Sequence, residues 1–248
     1  MINLLLSILA GGVVFALSFA TGRIHPGLCA LFGVLGLAGA YFFLARRSGR
    51  QLEAVMGEAQ KEMMARKPER AVEALQKAFA LARWQFGVAS SLHANIGVLL
   101  YVQKKFDEAE PHLRKSTGTL MRLWQAQAML AAIVYRKKQY DEMEKIFERA
   151  LGGSKTETLL YAVYAWCEHQ RGEKKKAIEI LTRGAEENKS DEKLKTLLQR
   201  AQNDKRLKLD GWGEQWWQFW LETPPQMMNP QGNVFAGRQR FGRGGYRR

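Results

Sequence analysis

Four stretches of the chain share the spacing of a repeated helix–turn–helix unit. A small residue stands at the expected helix–helix contact at Ala71, Ala109 and Ala177, and Met143 takes the corresponding position once. The intervals between these positions are 38, 34 and 34 residues, which indicates a 34-residue period with one four-residue insertion. Such a unit buries its apolar face only against neighbouring units, so the pattern predicts a helical solenoid and a binding role.

The second unit carries the clearest motif. It reads Asn95-Ile96-Gly97-Val98-Leu99-Leu100, then Phe106-Asp107-Glu108-Ala109 and Leu113. This resembles the tetratricopeptide pattern of a large residue, a glycine, an aromatic, an alanine and a second large residue. The units begin at Leu52, Ser90, Trp124 and Thr158, and Pro68 and Lys174 depart from the family by replacing its aromatic. The resemblance covers about residues 52–191 and implies an all-α solenoid there. Apolar residues at helical spacing after Asp191 predict a capping helix over 192–209, so the solenoid with its cap spans 52–209.

An apolar region precedes the repeats. Residues 1–45 contain one charged side chain, Arg23, although the whole chain carries a net charge of +14. Two apolar runs, 2–20 and 28–44, each approach the ~20 residues that a helix needs to cross a bilayer. The turn between them contains Pro26, which favours a hairpin over one long helix. A cleaved signal peptide is the alternative for the first run, but no positive charge precedes it.

Charge and small residues orient this transmembrane hairpin. Arg46, Arg47 and Arg50 follow the second run in a short linker, 46–51, so the positive-inside bias predicts an inner-membrane protein with both termini and the repeats in the cytoplasm. Glycines in both runs, among them Gly11 and Gly33, predict close packing of the two spans, with homo-oligomerisation as the alternative. Cys29 and Cys167 are poorly placed to form a disulfide.

The family resemblance also implies which side chains face a binding groove. The resemblance implies that first-helix positions two, five, nine and twelve of each unit point into it. The groove residues predicted in this way are Met63, Val98, Tyr101, Ala132, Tyr135, Trp166 and His169. None is Lys or Arg, which excludes the family's clamp for a peptide carboxylate and favours an amphipathic helix or an extended apolar peptide as ligand. The alternative is that the aromatics only pack between neighbouring helices.

A second pattern is a basic edge formed by the turns within the units. Its predicted members are Arg66, Lys67, Lys104, Lys105, Lys137, Lys138, Arg171 and Lys174. Because equivalent turns of a solenoid stack along one edge, these cations are expected to form a stripe. The stripe is either an ordinary solvated edge or a contact with anionic lipid head groups or an acidic partner.

Aromatic side chains are concentrated near the C-terminus. The Trp-rich segment, residues 210–222, contains Trp212, Trp216, Trp217 and Trp220, and is expected to form one helix that ends before Pro224. Three alternatives follow: the segment folds back on the end of the solenoid, enters the bilayer interface, or docks on a partner. The remaining tail, 223–248, combines Arg with Gly and aromatics and is predicted to be disordered, either solvated or touching lipid, with RNA as the alternative ligand.

Catalytic signatures are lacking in the sequence. The four histidines show no metal-ligand spacing, and no glycine loop precedes a helix in the way that phosphate sites require. We therefore expect no enzymatic activity, no cofactor and no metal. The sequence predicts a membrane-anchored adaptor that binds proteins or peptides; a nucleic-acid tether and an accessory subunit of a membrane complex are the alternatives.

Overall fold

A computed structural model describes residues 2–22, 25–84, 87–116 and 123–223. Within them the regular structure is helical, with no strand, which confirms the predicted all-α class. The helices are α1 (Ile2–Ala20), α2 (Pro26–Met64), α3 (Pro68–Lys77), α4 (Phe79–Ala82), α5 (Val88–Val102), α6 (Phe106–Ser116), α7 (Trp124–Arg136), α8 (Tyr140–Leu151), α9 (Thr158–Gln170), α10 (Lys174–Glu187), α11 (Glu192–Gln202) and, after a 3-10 turn (Asp210–Trp212), α12 (Glu214–Trp217). The chain divides into two compact units, Met1–Leu92 and His93–Arg248.

In the first unit, α1 and α2 approach most closely where glycine removes the side chain. A Cβ atom added at Gly11 would lie 2.7 Å from the Gly33 carbonyl oxygen and 2.8 Å from the Leu37 Cβ atom. Gly12 and Gly39, in contrast, have open space at this position. The predicted packing of the two apolar runs is therefore present, and both helices are long and apolar enough to cross a membrane.

The second apolar run continues into the first repeat without a break. α2 spans 39 residues, so residues 46–51, predicted as a linker, and the first helix of the first repeat form one helix about 60 Å long. Helix formers, Arg and Gln, make up most of residues 46–51, and Gly49 is the weakest helix former among these six. α3 packs back on α2, with Ala59 and Ala71 fully buried. The short α4 lies in the longer connection that follows α3.

The second unit consists of stacked helix pairs. α7 contacts α8, α9 contacts α10, and α9 also contacts α7 and α8 of the preceding pair. The predicted contact positions Ala109, Met143 and Ala177 are all fully buried. Each helix therefore packs on its own partner and on the next pair, which is the arrangement expected of a solenoid.

Each first helix ends in the same backbone turn. Arg66, Lys104, Lys138 and Gly172 adopt a left-handed conformation, with φ of 59°, 64°, 60° and 97°. At Lys138 the N–H donates to the Tyr135 carbonyl (2.9 Å), and the next N–H donates to the carbonyl five residues back, as in a Schellman cap. The intervals between these residues are again 38, 34 and 34, so the backbone repeats with the period of the contact residues.

The capping helix is shorter than predicted. Asp191 caps it as expected, since its Oδ1 atom accepts the N–H of Leu194 (2.9 Å). The helix ends at Gln202, however, because Asp204 takes the left-handed conformation (φ 55°) and closes another Schellman turn. The predicted helix over 192–209 is thus wrong beyond residue 202, although Leu207 and Leu209 are still fully buried.

Replacing Gly97 with alanine should destabilise the protein. A Cβ atom there would lie 2.7 Å from the Leu113 Cγ atom of the facing helix, so we expect a loss of about 1–3 kcal/mol from overpacking. Gly57→Ala is the matched control, because Gly57 also lies within a helix but has open space at the same position. This change should stabilise the protein by roughly 0.5–1 kcal/mol. Thermal unfolding followed by circular dichroism in one detergent compares them, and equal midpoints for the two variants would contradict the close packing.

Candidate binding groove

The first helices α5, α7 and α9 carry the predicted groove aromatics. Trp166 of α9 packs edge-to-face on Tyr135 of α7, with ring centroids 6.1 Å apart. Tyr101 of α5 is fully buried, and the guanidinium of Arg136, the residue after Tyr135, lies near its hydroxyl group. We refer to Tyr101, Tyr135 and Trp166 as the aromatic face.

The Trp-rich segment does not form the single helix that its spacing suggested. A 3-10 turn ends at Trp212, and a one-turn helix, α12, begins at Glu214. Gly213 separates them with φ 55° and ψ −132°, a conformation that other residues rarely adopt. This break turns the chain, so that Trp216 and Phe219 pack beside each other and are almost fully buried, Trp212 is also buried, and Trp220 is only half-buried.

The segment runs along α9 and then crosses to α7 and α5. At its start, the Trp212 indole N–H donates to Thr158 Oγ1 (3.4 Å), at the first residue of α9. Trp216 meets Trp166 near the end of α9 in an edge-to-face contact at 5.4 Å. Trp216 and Phe219 are 1% and 0% exposed. The chain's own segment therefore covers the aromatic face.

Polar contacts fix the last turn of the segment through its backbone. The Tyr101 hydroxyl donates to the Phe219 carbonyl (2.5 Å), and the Arg136 guanidinium donates to the Trp220 carbonyl. In return, the Trp220 indole N–H donates to the Val102 carbonyl (3.2 Å). The helix ends of α5 and α7 thus bind two consecutive peptide carbonyls, whatever side chains those residues carry.

The surroundings of Tyr101 and Tyr135 favour the protonated, neutral form of each phenol. Burial raises the pKa of Tyr101, and the nearby Arg136 cation opposes that rise only in part. Burial likewise raises the pKa of Tyr135 to about 12. Both phenols therefore carry their proton at neutral pH, so Tyr101 is available to donate to a carbonyl oxygen.

The other predicted groove residues are distributed differently. Ala132 is fully buried, and Val98 and His169 are half-buried on α5 and α9. The pKa of His169 is lowered by burial and by Lys174. Met63 is half-buried on α2 and belongs to the first compact unit. The contacts described for the Trp-rich segment involve Tyr101 and Trp166 from the predicted set.

The tryptophans of the Trp-rich segment were predicted to contact a membrane or a partner, whereas in the structure they pack on the protein itself. They are Trp212, Trp216, Trp217 and Trp220. Trp212 and Trp216 are buried, and Trp217 and Trp220 are half-buried. Packing of the segment on the repeats, one of the three alternatives, is the observed one, although it lies along the first helices and not on the solenoid end alone. Burial of large aromatic surface in this way stabilises the fold. The tail from residue 224 onward lies outside the described residues.

Several cations of the predicted basic edge are paired with acidic side chains of the second unit. The ion pairs are Lys137 with Glu110, Arg171 with Glu144 and Glu168, and Lys174 with Asp204. Lys104 lies over the Trp220 ring, 4.1 Å from its centroid. Lys105 is half-buried, and Lys138 in the second unit and Arg66 and Lys67 in the first unit are exposed. Part of the edge is therefore neutralised within the fold, and its contact with lipid or an acidic partner stays a prediction.

Three further residues contribute to the site without having been predicted. Phe219 is fully buried beside Trp216, Arg136 donates to the Trp220 carbonyl, and the Val102 carbonyl accepts the Trp220 indole N–H. The sequence indicated that another segment packs on these helices, because the helices that carry Tyr135 and Trp166 are apolar around most of their circumference. A helix without a polar face requires packing on every side.

Comparison with known proteins does not assign the chain to a family. No protein-family model matches the sequence, and no curated protein is similar to it. Among solved structures, one described as "MamA RS-1 ArsTM double mutant" is similar, with 15% sequence identity and a TM-score of 0.48, covering 68% of this chain and 92% of that chain. This TM-score is below the level that shows a shared fold. The assignment as a helical repeat therefore depends on the buried contact positions and the repeated turns, and membership of the tetratricopeptide family stays a prediction.

Replacing Trp216 with alanine should detach the Trp-rich segment. Its ring is 1% exposed, and removal of such a side chain costs about 3–5 kcal/mol. Limited trypsin digestion should then cleave rapidly at Arg206 and Lys208, on the approach to the segment. Trp217→Ala is the control, because Trp217 is only half-buried. Equal cleavage rates in the two variants would show that Trp216 does not hold the segment.

Replacing Glu168 with glutamine should change how stability depends on pH. Burial raises the pKa of Glu168 to about 6, with Arg171 opposing the shift. A carboxyl whose folded-state pKa lies above the unfolded value of about 4.3 is destabilised as it ionises, so this cost is absent at low pH and complete above about pH 6. The difference in unfolding free energy, variant minus wild type, should rise by about 2 kcal/mol between pH 4.3 and 6 and then level off. Chemical unfolding across this range measures it, and a pH-independent difference would refute the assignment.

Proposed function

We propose that the chain is a membrane-anchored helical-repeat adaptor, a binding protein and not an enzyme, whose aromatic face binds an aromatic-containing segment of a partner protein at the cytoplasmic side of the membrane. The observation that carries this proposal is the Trp-rich segment itself, which lies on the aromatic face as a peptide ligand would. The segment thus indicates the chemistry that the face accepts.

Recognition in this proposal has a general and a selective part. The general part is the binding of two consecutive carbonyls by Tyr101 and Arg136, which any peptide that adopts the same turn provides. The selective part is the buried space that Trp216 fills against Trp166 and that Phe219 fills beside Trp216. A partner segment with two large aromatics three residues apart would fit both parts.

A partner could improve on the chain's own segment. Among the described residues, the buried indole N–H of Trp166 has no hydrogen-bond acceptor, and neither has that of Trp216. A buried donor without an acceptor costs about 1–3 kcal/mol. Displacement of the segment would expose the Trp216 N–H to water, and a partner with a suitably placed oxygen would satisfy Trp166.

Membrane anchoring in the proposal is supported by the first unit. α1 and α2 have the length and composition to cross a bilayer, and large apolar side chains such as Leu9 and Phe43, 67% and 69% exposed, cover the outside of the hairpin. Such a surface is costly to expose to water and suits lipid. With basic residues after the second span, both termini and the repeats lie in the cytoplasm. Tethering raises the local concentration of membrane-bound partners, so modest affinity suffices.

A peptide added in trans tests the proposed groove. The probe is a fluorescent peptide with the sequence of residues 209–223, titrated by anisotropy against the full-length protein in nanodiscs. In wild type the chain's own segment competes at an effective concentration on the order of millimolar, so binding should be weak. The double variant Trp216→Ala with Phe219→Ala should bind the probe at least tenfold more tightly.

Two controls separate specific from general binding. Adding Tyr101→Phe to the double variant removes the hydroxyl donor and should weaken binding by about 2–10-fold, the value of one hydrogen bond. A probe with its tryptophans replaced by alanine should not bind. If the alanine probe binds as well as the native sequence, or if the native probe binds no variant, the groove proposal is wrong.

A further inference from the structure

The first helix of the hairpin is held at its start by the chain that follows α4. The backbone N–H groups of Ile2 and Asn3 donate to the carbonyls of Arg83 and Trp84, both at 3.1 Å. The first N–H groups of a helix have no acceptor within the helix itself, so this contact satisfies two of them. Arg83 and Trp84 therefore lie level with the first turn of the first apolar span.

The second span places its basic residues at the same level. The Asn3 side-chain amide donates to Ser48 Oγ at 2.9 Å and to the Leu44 carbonyl at 3.4 Å. Both Asn3 and Ser48 are buried between the helices, so the start of α1 is aligned with residues 44–48 of α2. The exposed side chains of Arg46, Arg47 and Arg50 thus lie on α2 at the end of the hairpin at which Trp84 lies.

Trp84 is a large apolar side chain with 43% of its surface exposed. Leu4 and Leu5, the residues of α1 that follow Asn3, are exposed apolar residues, so the apolar surface of the hairpin begins within one turn of Trp84. Tryptophan and arginine both favour the level of lipid head groups, where an aromatic ring meets the acyl boundary and a cation meets phosphate. Because Trp84 and the three arginines lie together at one end of an apolar hairpin, we expect their surface to contact lipid and not a protein partner.

We propose that Trp84 and the basic residues Arg46, Arg47 and Arg50 form a binding surface for anionic phospholipid head groups, which holds the α3–α4 end of the first unit against the bilayer. This inference rests on the proposed membrane anchor. It adds a lipid class and a fixed contact, since the carbonyls of Arg83 and Trp84 accept backbone hydrogen bonds from the helix that enters the membrane.

Spin labels in the full-length protein locate Trp84 relative to the membrane. Trp84→Cys, Leu35→Cys and Met64→Cys are each labelled with a nitroxide, in nanodiscs that contain phosphatidylglycerol. The wild-type protein is the control for background labelling, because its own cysteines, Cys29 and Cys167, are buried. Leu35 is exposed on the hairpin, and Met64 is exposed at the far end of α2, 20 residues beyond Leu44 or about 30 Å. The label at residue 84 should be more accessible to oxygen than to a water-soluble nickel chelate, by a margin between those of Leu35 and Met64.

The outcomes distinguish this inference from the anchor itself. If residue 35 is in lipid but residue 84 is as accessible to the chelate as residue 64, the lipid surface is wrong and the anchor stands. If residue 35 is also accessible to the chelate, the anchor is wrong. If residue 84 is shielded from both reagents, a protein covers Trp84 and the lipid assignment is overturned.

Lipid retention tests the basic residues separately and does not depend on the Trp84 substitution. Native mass spectrometry counts phosphatidylglycerol molecules that remain bound when the protein is released from mixed phosphatidylglycerol and phosphatidylcholine. The variant with Arg46, Arg47 and Arg50 changed to Gln should lose most of the retained phosphatidylglycerol. Arg66→Gln with Lys67→Gln, at the far end of α2, should retain it. Equal retention in both variants would overturn the head-group assignment.

Discussion

The second unit depends on covering two helices that have no polar face. Residues Leu159 to Glu168 of α9 are all buried, as are Ala126 to Val134 of α7. Stacking with α8, α10 and the neighbouring first helices covers part of their circumference. The side that carries Trp166 is covered by Trp216 of the Trp-rich segment. Because exposed apolar surface costs about 25 cal/mol per Å², the segment belongs to the folded unit and is not an appendage.

Features that repeat locally could be predicted from the sequence, whereas features decided by distant contacts could not. Ala109, Met143 and Ala177 were predicted as helix contacts because a 34-residue period is visible in residue identity alone, and all three are buried. The ends of α11 and of the predicted Trp-rich helix were misplaced. Asp204 and Gly213 end helical runs there through positive φ, and aspartate gives little sequence signal for this conformation.

The candidate site was predicted in part. Tyr101 and Trp166 were identified through the family resemblance, with groove and interhelix packing left open, and both descriptions apply because each residue contacts a neighbouring element as well as the Trp-rich segment. The occupant of the face could not be predicted, since it lies about 50–120 residues away along the chain and no local spacing records such a pairing. Charge pairing escaped prediction for the same reason: Lys137 meets Glu110 from another helix.

An occupied groove sets a threshold for any partner. The Trp-rich segment competes from within the same chain, at an effective concentration on the order of millimolar for short connections, so a partner at lower concentration must bind with correspondingly better contacts. In the proposed role, anchoring of both molecules in one membrane would raise the partner's local concentration but would not change the quality of its contacts. Selection among such partners would then depend on the polar groups that have no hydrogen-bond partner while the segment is bound. The buried indole N–H of Trp166 is such a group. A segment that places an oxygen there gains a hydrogen bond that the chain's own residues do not supply, and discrimination between partners follows from that difference.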